Sequence, residues 1–552
     1  MNTFDETTLA EFRHSAAKLL RMPIAERRTL LQACIAGVAR NVDSWLEAAW
    51  RAKRISANSA AAAEDILTGP VATLRYLRLL DQTLADVAKQ DRPNLPGRPR
   101  TSQGRWKIPV FPTRSLFDRL LFLGLSAEVW MSAEATEQTL FGNHLRSATG
   151  QAQQKPVVTL VLGAGNVSSI PATDALTKIF QDSQAVVLKM NPVNEYLGPI
   201  FADAFAPLVD AGFLRIVYGD AEFAAKLIAS DNIDRIHITG SDRTHDAIVW
   251  GSTVEEQTDR KRTNQPRLTK PITSELGNVS PWIIVPGKYS QRQLRFQAEN
   301  IAASITNNAS FNCIATKMLI TCSSWDQRDQ FLELLEEILA AVPGRFAYYP
   351  GAQERFVQFA GFEPDDAEHL PWTVVRDVHP QQQPQMFTDE SFVCVVGETT
   401  LDAGSPTEFL NSAVDFANDQ MWGTLSAALT VPPEFEHQQP GQLDAAIDRL
   451  RYGVVGINQW PGVVFALMST PWGAFPGSTL DNIQSGMGSV HNTYLLDCPE
   501  KTVLRSSLTM FPKPVWFSTH RCPEKVAEHL LDFYIRPNSW RLLPILTCAI
   551  RG

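Results

Sequence analysis

Val157-Val158-Thr159-Leu160-Val161-Leu162-Gly163-Ala164-Gly165-Asn166-Val167-Ser168 reads as a buried strand that runs into a glycine-rich turn. The apolar, β-branched run is short for a helix and is bounded by glycine, so it reads as a strand covered on both faces. An amphipathic stretch over 171–181 follows, and the same texture then repeats. Ala185-Val186-Val187-Leu188 precedes a helix over 197–209, Leu214-Arg215-Ile216-Val217-Tyr218 precedes 221–229, and Arg235-Ile236-His237-Ile238-Thr239 precedes a helix from 242. Apolar strands alternating with helices of this length predict βαβ units and a parallel sheet. A second α/β block has strands near 282–285, 316–321, 373–376, 393–397, 425–430 and 453–458, with helices near 290–306, 325–341, 407–418 and 443–450.

Upstream, residues 8–90 carry apolar positions at helical spacing, such as Leu30, Leu31, Cys34, Ile35 and Val38. Arg92 to Arg114 holds five arginines and a lysine among five prolines and reads as a solvated linker rather than a binding patch. The expected organisation is a helical region and linker over 1–115, a cofactor-binding domain over 116–280, a catalytic domain over 281–460, and over 461–552 a return to the first domain plus a tail. The segment Trp540 to Ile550 reads as a packed tail.

The chain has 552 residues, 44% hydrophobic and 20% charged, which suits a globular protein of two or three domains. A formal charge of −9 leaves no basic excess to neutralise phosphates, which argues against nucleic-acid binding. Seven widely spaced cysteines without a CxxC fit a reducing compartment and neither a disulfide framework nor a metal site. The acidic N-terminus does not resemble a signal peptide, and no run of 18 apolar residues suggests a membrane span. A cytoplasmic location is the expectation.

Several residues offer chemistry, each with a plainer alternative. Gly163-Ala164-Gly165 is a weak dinucleotide fingerprint, because Ser168 stands where glycine or alanine is wanted and the next strand lacks an acidic end. It also reads as a tight turn projecting the Asn166 amide, or as a strand-to-helix turn alone. Lys189 ends a strand where it could donate to ribose hydroxyls or a phosphate. Gly240 and Ser241 open a helix, either as a pyrophosphate site or as simple capping. Glu275, near Gly277, is a candidate base or a surface charge. Cys313 lies between a helical and a β-like run, as a reachable nucleophile or a small core residue. Glu390 and Phe392 could accept from ribose and wall off a flat ring, or form a charged turn with one core aromatic.

Taken in order, these segments resemble the aldehyde dehydrogenase superfamily. Thr273-Ser274-Glu275-Leu276-Gly277-Asn278 is similar to its E-L-G-G signature, and Asn308 to Cys313 to its N-Q-G-Q-x-C nucleophile segment. Ile238-Thr239-Gly240-Ser241 resembles F-T-G-S, and Glu390-Ser391-Phe392 matches E-x-F. Arg451 to Asn458 and Pro471 to Phe475 resemble the C-terminal R-x-G-x-x-x-x-N and P-F-G-G-x segments. The resemblance implies an aldehyde-dehydrogenase-like α/β fold. Cys313 would be the nucleophile, Glu275 the general base, and Asn166 with the Cys313 backbone N–H the oxyanion hole. Lys189, Gly240, Ser241, Glu390 and Phe392 would hold NAD or NADP. It further implies a homodimer or homotetramer joined by an arm, with candidates near 127–155 and 490–517.

The chain departs from the pattern at Ala309, Ser310 and Phe311, at Asn278, and at Pro192, where a cofactor-selecting Glu would stand. The Gly-x-Gly-Asn turn resembles that of acyl-CoA-reducing relatives. Three functions therefore compete: NAD(P)-dependent oxidation of an aldehyde to an acid, reduction of an acyl-CoA or acyl-thioester to an aldehyde, and a non-catalytic family member. Trp130, Trp460, Phe465 and Trp472 suggest an apolar pocket for a long or aromatic aldehyde, or ordinary core packing.

Overall fold

A computed structural model of the chain describes residues 6–149 and 155–552. Two sheets organise it. The six-stranded sheet runs Gly486–Met487, Ile272–Glu275, Arg235–Thr239, Val158–Leu162, Ala185–Lys189, Leu214–Val217, parallel except for its first member. The chain starts in the middle of this sheet, builds outward to Leu214–Val217, then crosses back to Arg235–Thr239. Crevices outside the carboxyl ends of strands at such a reversal are where open α/β sheets bind ligands.

The ten-stranded sheet runs Arg100–Ser102, Arg105–Phe111, Ser126–Met131, Pro499–Arg505, Val454–Ile457, Ser426–Thr430, Ser280–Ile284, Thr316–Cys322, Val395–Leu401, Thr373–Val375. Its last seven strands are parallel and its first three are added antiparallel. The α/β class with parallel sheets is thus the one the sequence predicts.

One expectation needs correcting. The segment read as a linker over 92–114 contains two paired strands, Arg100–Ser102 and Arg105–Phe111. Lys107 hides its charge over the Trp130 ring at 3.5 Å and pairs with Asp444 at 3.1 Å. Pro109 is accommodated at a register shift. Lys107 and Pro109, two of the residues that suggested a linker, are therefore accommodated inside a sheet. Part of the candidate arm, 150–154, lies outside the described residues; Ser126–Met131 and Pro499–Arg505 pair with each other within this chain.

The N-terminal helices are Glu6–Arg21, Ile24–Ala52, Ala60–Ile66 and Ala72–Gln90. In the second, Leu31, Cys34, Val38, Val42, Trp45 and Ala49 form a buried stripe at helical spacing. The tail forms Pro523–Ile535 and Leu542–Ala549; Leu542 and Ile545 are buried, whereas Trp540 is exposed. No helix among the described residues is long and apolar enough to cross a membrane.

Candidate active site

The Val158–Leu162 strand ends in the Gly163-Ala164-Gly165 turn. A Cβ at Gly165 would stand 2.7 Å from Asn191 Oδ1, so only glycine lets the turn pack against the next loop. The Asn194 amide donates to Ala164 O at 2.8 Å and locks this arrangement, with Asn166 next in the chain. Across from it, the helix Gln291–Thr306 gives way to Asn308, Ala309 and Ser310, at φ 52°, 55° and 67°. Three left-handed residues in a row reverse the chain before Cys313, and two of them lack the features that ease this conformation.

That strained turn is braced by elements distant in sequence. Asn308 Nδ2 donates to Asn166 O at 3.1 Å and Phe311 O at 2.9 Å. Lys53 Nζ donates to Asn308 Oδ1 at 3.0 Å and to Asp65 at 2.6 Å. The Tyr348 hydroxyl donates to Asn308 Oδ1 at 3.1 Å and to Asn166 O at 3.0 Å. Asn308 N donates to Glu64 at 2.8 Å, and Arg345 pairs with Glu64 at 3.2 Å. The N-terminal helices therefore hold the loop that carries the cysteine.

Cys313 Sγ lies 3.8 Å from Glu275 Oε1 and 3.9 Å from Asn312 Oδ1. Burial pushes the Glu275 carboxyl up to about 8; nearby Asp174 adds to this, and Trp472 and the thiol oppose it. Burial, then Glu275 and Glu390, also push the Cys313 thiol well above its ordinary value, while Lys317 works the other way. Asn166 is buried, and its Nδ2 donates to Phe311 O at 3.1 Å, two residues before the thiol.

A cleft of about 990 Å³ runs from Cys313 and Glu275 along the carboxyl ends of the six-stranded sheet, lined by Asn166, Lys189, Gly240, Ser241, Glu390 and Phe392. The eight predicted residues thus share one cavity wall. Lys189 ends its strand; burial lowers its pKa and Asp220 and Glu195 raise it. Ser241 caps the helix Asp242–Val249 by accepting from Thr244 N at 3.1 Å, and it also faces the cleft. Phe392 stands 5.0 Å from Tyr349 and 6.0 Å from Phe311, ring to ring.

Residues the sequence did not single out complete the site. Lys317 donates to Asn312 O at 2.9 Å and Ala315 O at 3.2 Å, and pairs with Glu390 at 3.2 Å. Arg355 leans over Phe392, 6.0 Å from the ring centre, with Nε and Nη2 buried and unpartnered. A lysine shortly after the cysteine was the only available hint of the first; Arg355 had none. The cleft offers Lys189, a helix start at Ser241, the Phe392 ring and unpartnered Arg355 donors. This set suits a dinucleotide with phosphates and a flat ring.

A sequence model described as "Aldehyde dehydrogenase family" matches residues 151–344. Over those residues the chain is similar to the aldehyde dehydrogenase family. The superfamily is therefore the one its motifs indicate, and that span holds Asn166, Lys189, Gly240, Ser241, Glu275 and Cys313. Solved structures share the fold. A Staphylococcus aureus AldH in a substrate-bound state aligns at TM-score 0.60 and 16% identity, over 93% of this chain and 96% of that one. A Sinorhizobium meliloti NAD-dependent aldehyde dehydrogenase aligns at 0.56 and 17%, over 91% and 86%. Escherichia coli lactaldehyde dehydrogenase aligns at 0.53 and 16%, over 91% and 90%. No curated relative matches the chain.

Proposed function

We propose that this aldehyde dehydrogenase domain oxidises an uncharged, apolar aldehyde to its carboxylic acid with NAD or NADP, through a thioester on Cys313. The observation that carries the reading is the 3.8 Å approach of the Cys313 thiol to Glu275 where two cavities meet.

Glu275 takes the thiol proton, and the sulfur attacks the aldehyde carbon. The oxyanion that forms is held by the Cys313 backbone N–H and by the Asn166 amide, which turns to it from Phe311 O. A bound dinucleotide would supply the acceptor for the hydride that leaves the thiohemiacetal carbon. Lys189, Ser241, Glu390, Phe392 and Arg355 bind and orient it from the cleft. Once Glu275 has given up the thiol proton, it removes a proton from water, the hydroxide adds to the thioester, and the Cys313–carbon bond breaks to release the acid and leave the thiolate. A carboxylate this close to the sulfur favours acid release over acyl-thioester reduction, because it would hydrolyse the thioester.

The second cavity supports the substrate class. It reaches Cys313 and Glu275 and is walled by Leu67, Val71, Phe122, Trp460, Phe465, Trp472, Val515, Trp516 and Leu530. Apart from Glu275, its charged lining groups are already matched: Glu64 with Arg345 at 3.2 Å, and Arg75 with Asp118 at 2.7 Å. A charged substrate tail would enter without a partner.

Product identity from purified protein tests the reading. Hexanal or benzaldehyde with NAD should give the carboxylate without CoA, faster than a semialdehyde whose far end is a carboxylate. Free CoA and aldehyde formed from acyl-CoA and reduced cofactor would instead support the reductase.

A further inference from the structure

Behind Glu275 lies a set of buried polar groups, of which Asp174 and His237 line neither cavity. The register of two parallel strands pairs Thr239 with Glu275 and His237 with Thr273, so alternate positions put all four side chains on one face of the sheet. Asp174, from the covering helix Ile170–Phe180, sits among them. Its Oδ2 accepts from the Thr239 hydroxyl at 2.7 Å and stands 3.5 Å from His237 Nε2. His237 Nδ1 is 2.9 Å from Thr273 Oγ1. Thr273 is half-buried and Pro271 exposed, so this end of the strand meets solvent.

The network contains unpartnered polar atoms. Asp174 Oδ1 and both ring nitrogens of His491 are buried without a partner. His491 is 1% exposed, packs against Tyr76 and Phe465, and lies close enough to Asp174 and His237 to act on their charge. Lys178 and Asp182 also act on His237. Burying so many polar atoms without partners is costly unless water joins them.

During turnover Glu275 must lose its proton before it can act again. Both cavities that reach it would then be filled, one by the cofactor and the other by the acyl chain. We propose that Asp174 and His237 form a proton exit for Glu275, leading past Thr273 to solvent. The Glu275 carboxyl returns to carboxylate, the Asp174–His237 pair gains its proton, and solvent water removes it past Thr273. This inference rests on Glu275 being the base that hydrolyses a Cys313 thioester.

p-Nitrophenyl hexanoate, added with saturating NAD so that cofactor and acyl chain fill both cavities, separates the two claims. Acylation of Cys313 releases a burst of nitrophenolate, and hydrolysis of the acyl-enzyme sets the steady rate. Asp174→Asn keeps an acceptor for Thr239, so the burst should persist while the steady rate falls roughly tenfold or more. His237→Gln keeps hydrogen-bonding capacity but cannot accept a proton; it should give the same pattern and serves if the first variant fails to fold. An unchanged steady rate, or equal loss of burst and steady rate, would overturn the exit path. Absence of acylation in the parent protein would instead overturn the functional reading, and the exit with it.

Discussion

Cys313 Sγ and Glu275 Oε1 face each other at 3.8 Å, in surroundings that raise the pKa of both groups. In the proposed role of base, Glu275 is competent only when ionised. With its carboxyl pushed up to about 8, the competent form is the minority at neutral pH and grows as pH rises through that value. kcat/KM should therefore climb with pH and level off above about 8. Glu275→Gln should remove most activity and flatten this limb. A profile already level from pH 6, measured in the parent protein, would show that Glu275 is not the titrating base.

Asn166 carries the oxyanion assignment. Losing one such donor typically costs about 2.7–4 kcal/mol of barrier, so Asn166→Ala should slow turnover by roughly two to three decades. The residue also bonds Phe311 O, so the melting temperature must be followed in parallel. Near-normal turnover in a folded variant would reject the assignment.

The N-terminal helices should matter to the cysteine whose turn they brace. Lys53→Met leaves Asp65 as a buried carboxylate without its ion-pair partner and frees Asn308 from one brace. Breaking a buried pair in this way costs about 3–5 kcal/mol. Thermal unfolding should shift down clearly, and the rate of Cys313 alkylation by iodoacetamide should change with it. A variant with both quantities unaltered would show that the brace does not hold the nucleophile turn.

Ser310 sits at φ 67°, where the family segment carries glycine. Ser310→Gly should stabilise the protein by about 1 kcal/mol, since a left-handed conformation disfavours any residue with a Cβ. Chemical denaturation measures this directly, and activity should persist. Destabilisation would mean that the Ser310 side chain contributes more than the turn costs it.

Local patterning made much of this legible. Strands such as Val158–Leu162 and Ala185–Lys189 announce themselves because burial on both faces demands unbroken apolar runs. Cys313, Glu275 and Asn166 stood out by their short flanking motifs. The hairpin over 100–111 did not, because Lys107 and Pro109 look like linker residues until Trp130, Asp444 and the register shift accommodate them. The Lys53–Asn308 contact bridges 255 positions, and Asp174 meets Thr239 across 65. No local signal marks such pairs, since only the packed fold brings them within hydrogen-bonding reach.

The central claim is that Cys313 carries the acyl group which water releases as acid. The most direct measurement follows an apolar aldehyde with NAD in the purified full chain and in Cys313→Ala, recording cofactor reduction, carboxylate and cofactor binding together. The account predicts equal amounts of reduced cofactor and carboxylate in the parent, and neither in the variant, which should still bind NAD. Turnover that survives in Cys313→Ala would contradict it, as would a parent that forms no acid from aldehyde yet makes aldehyde from acyl-CoA.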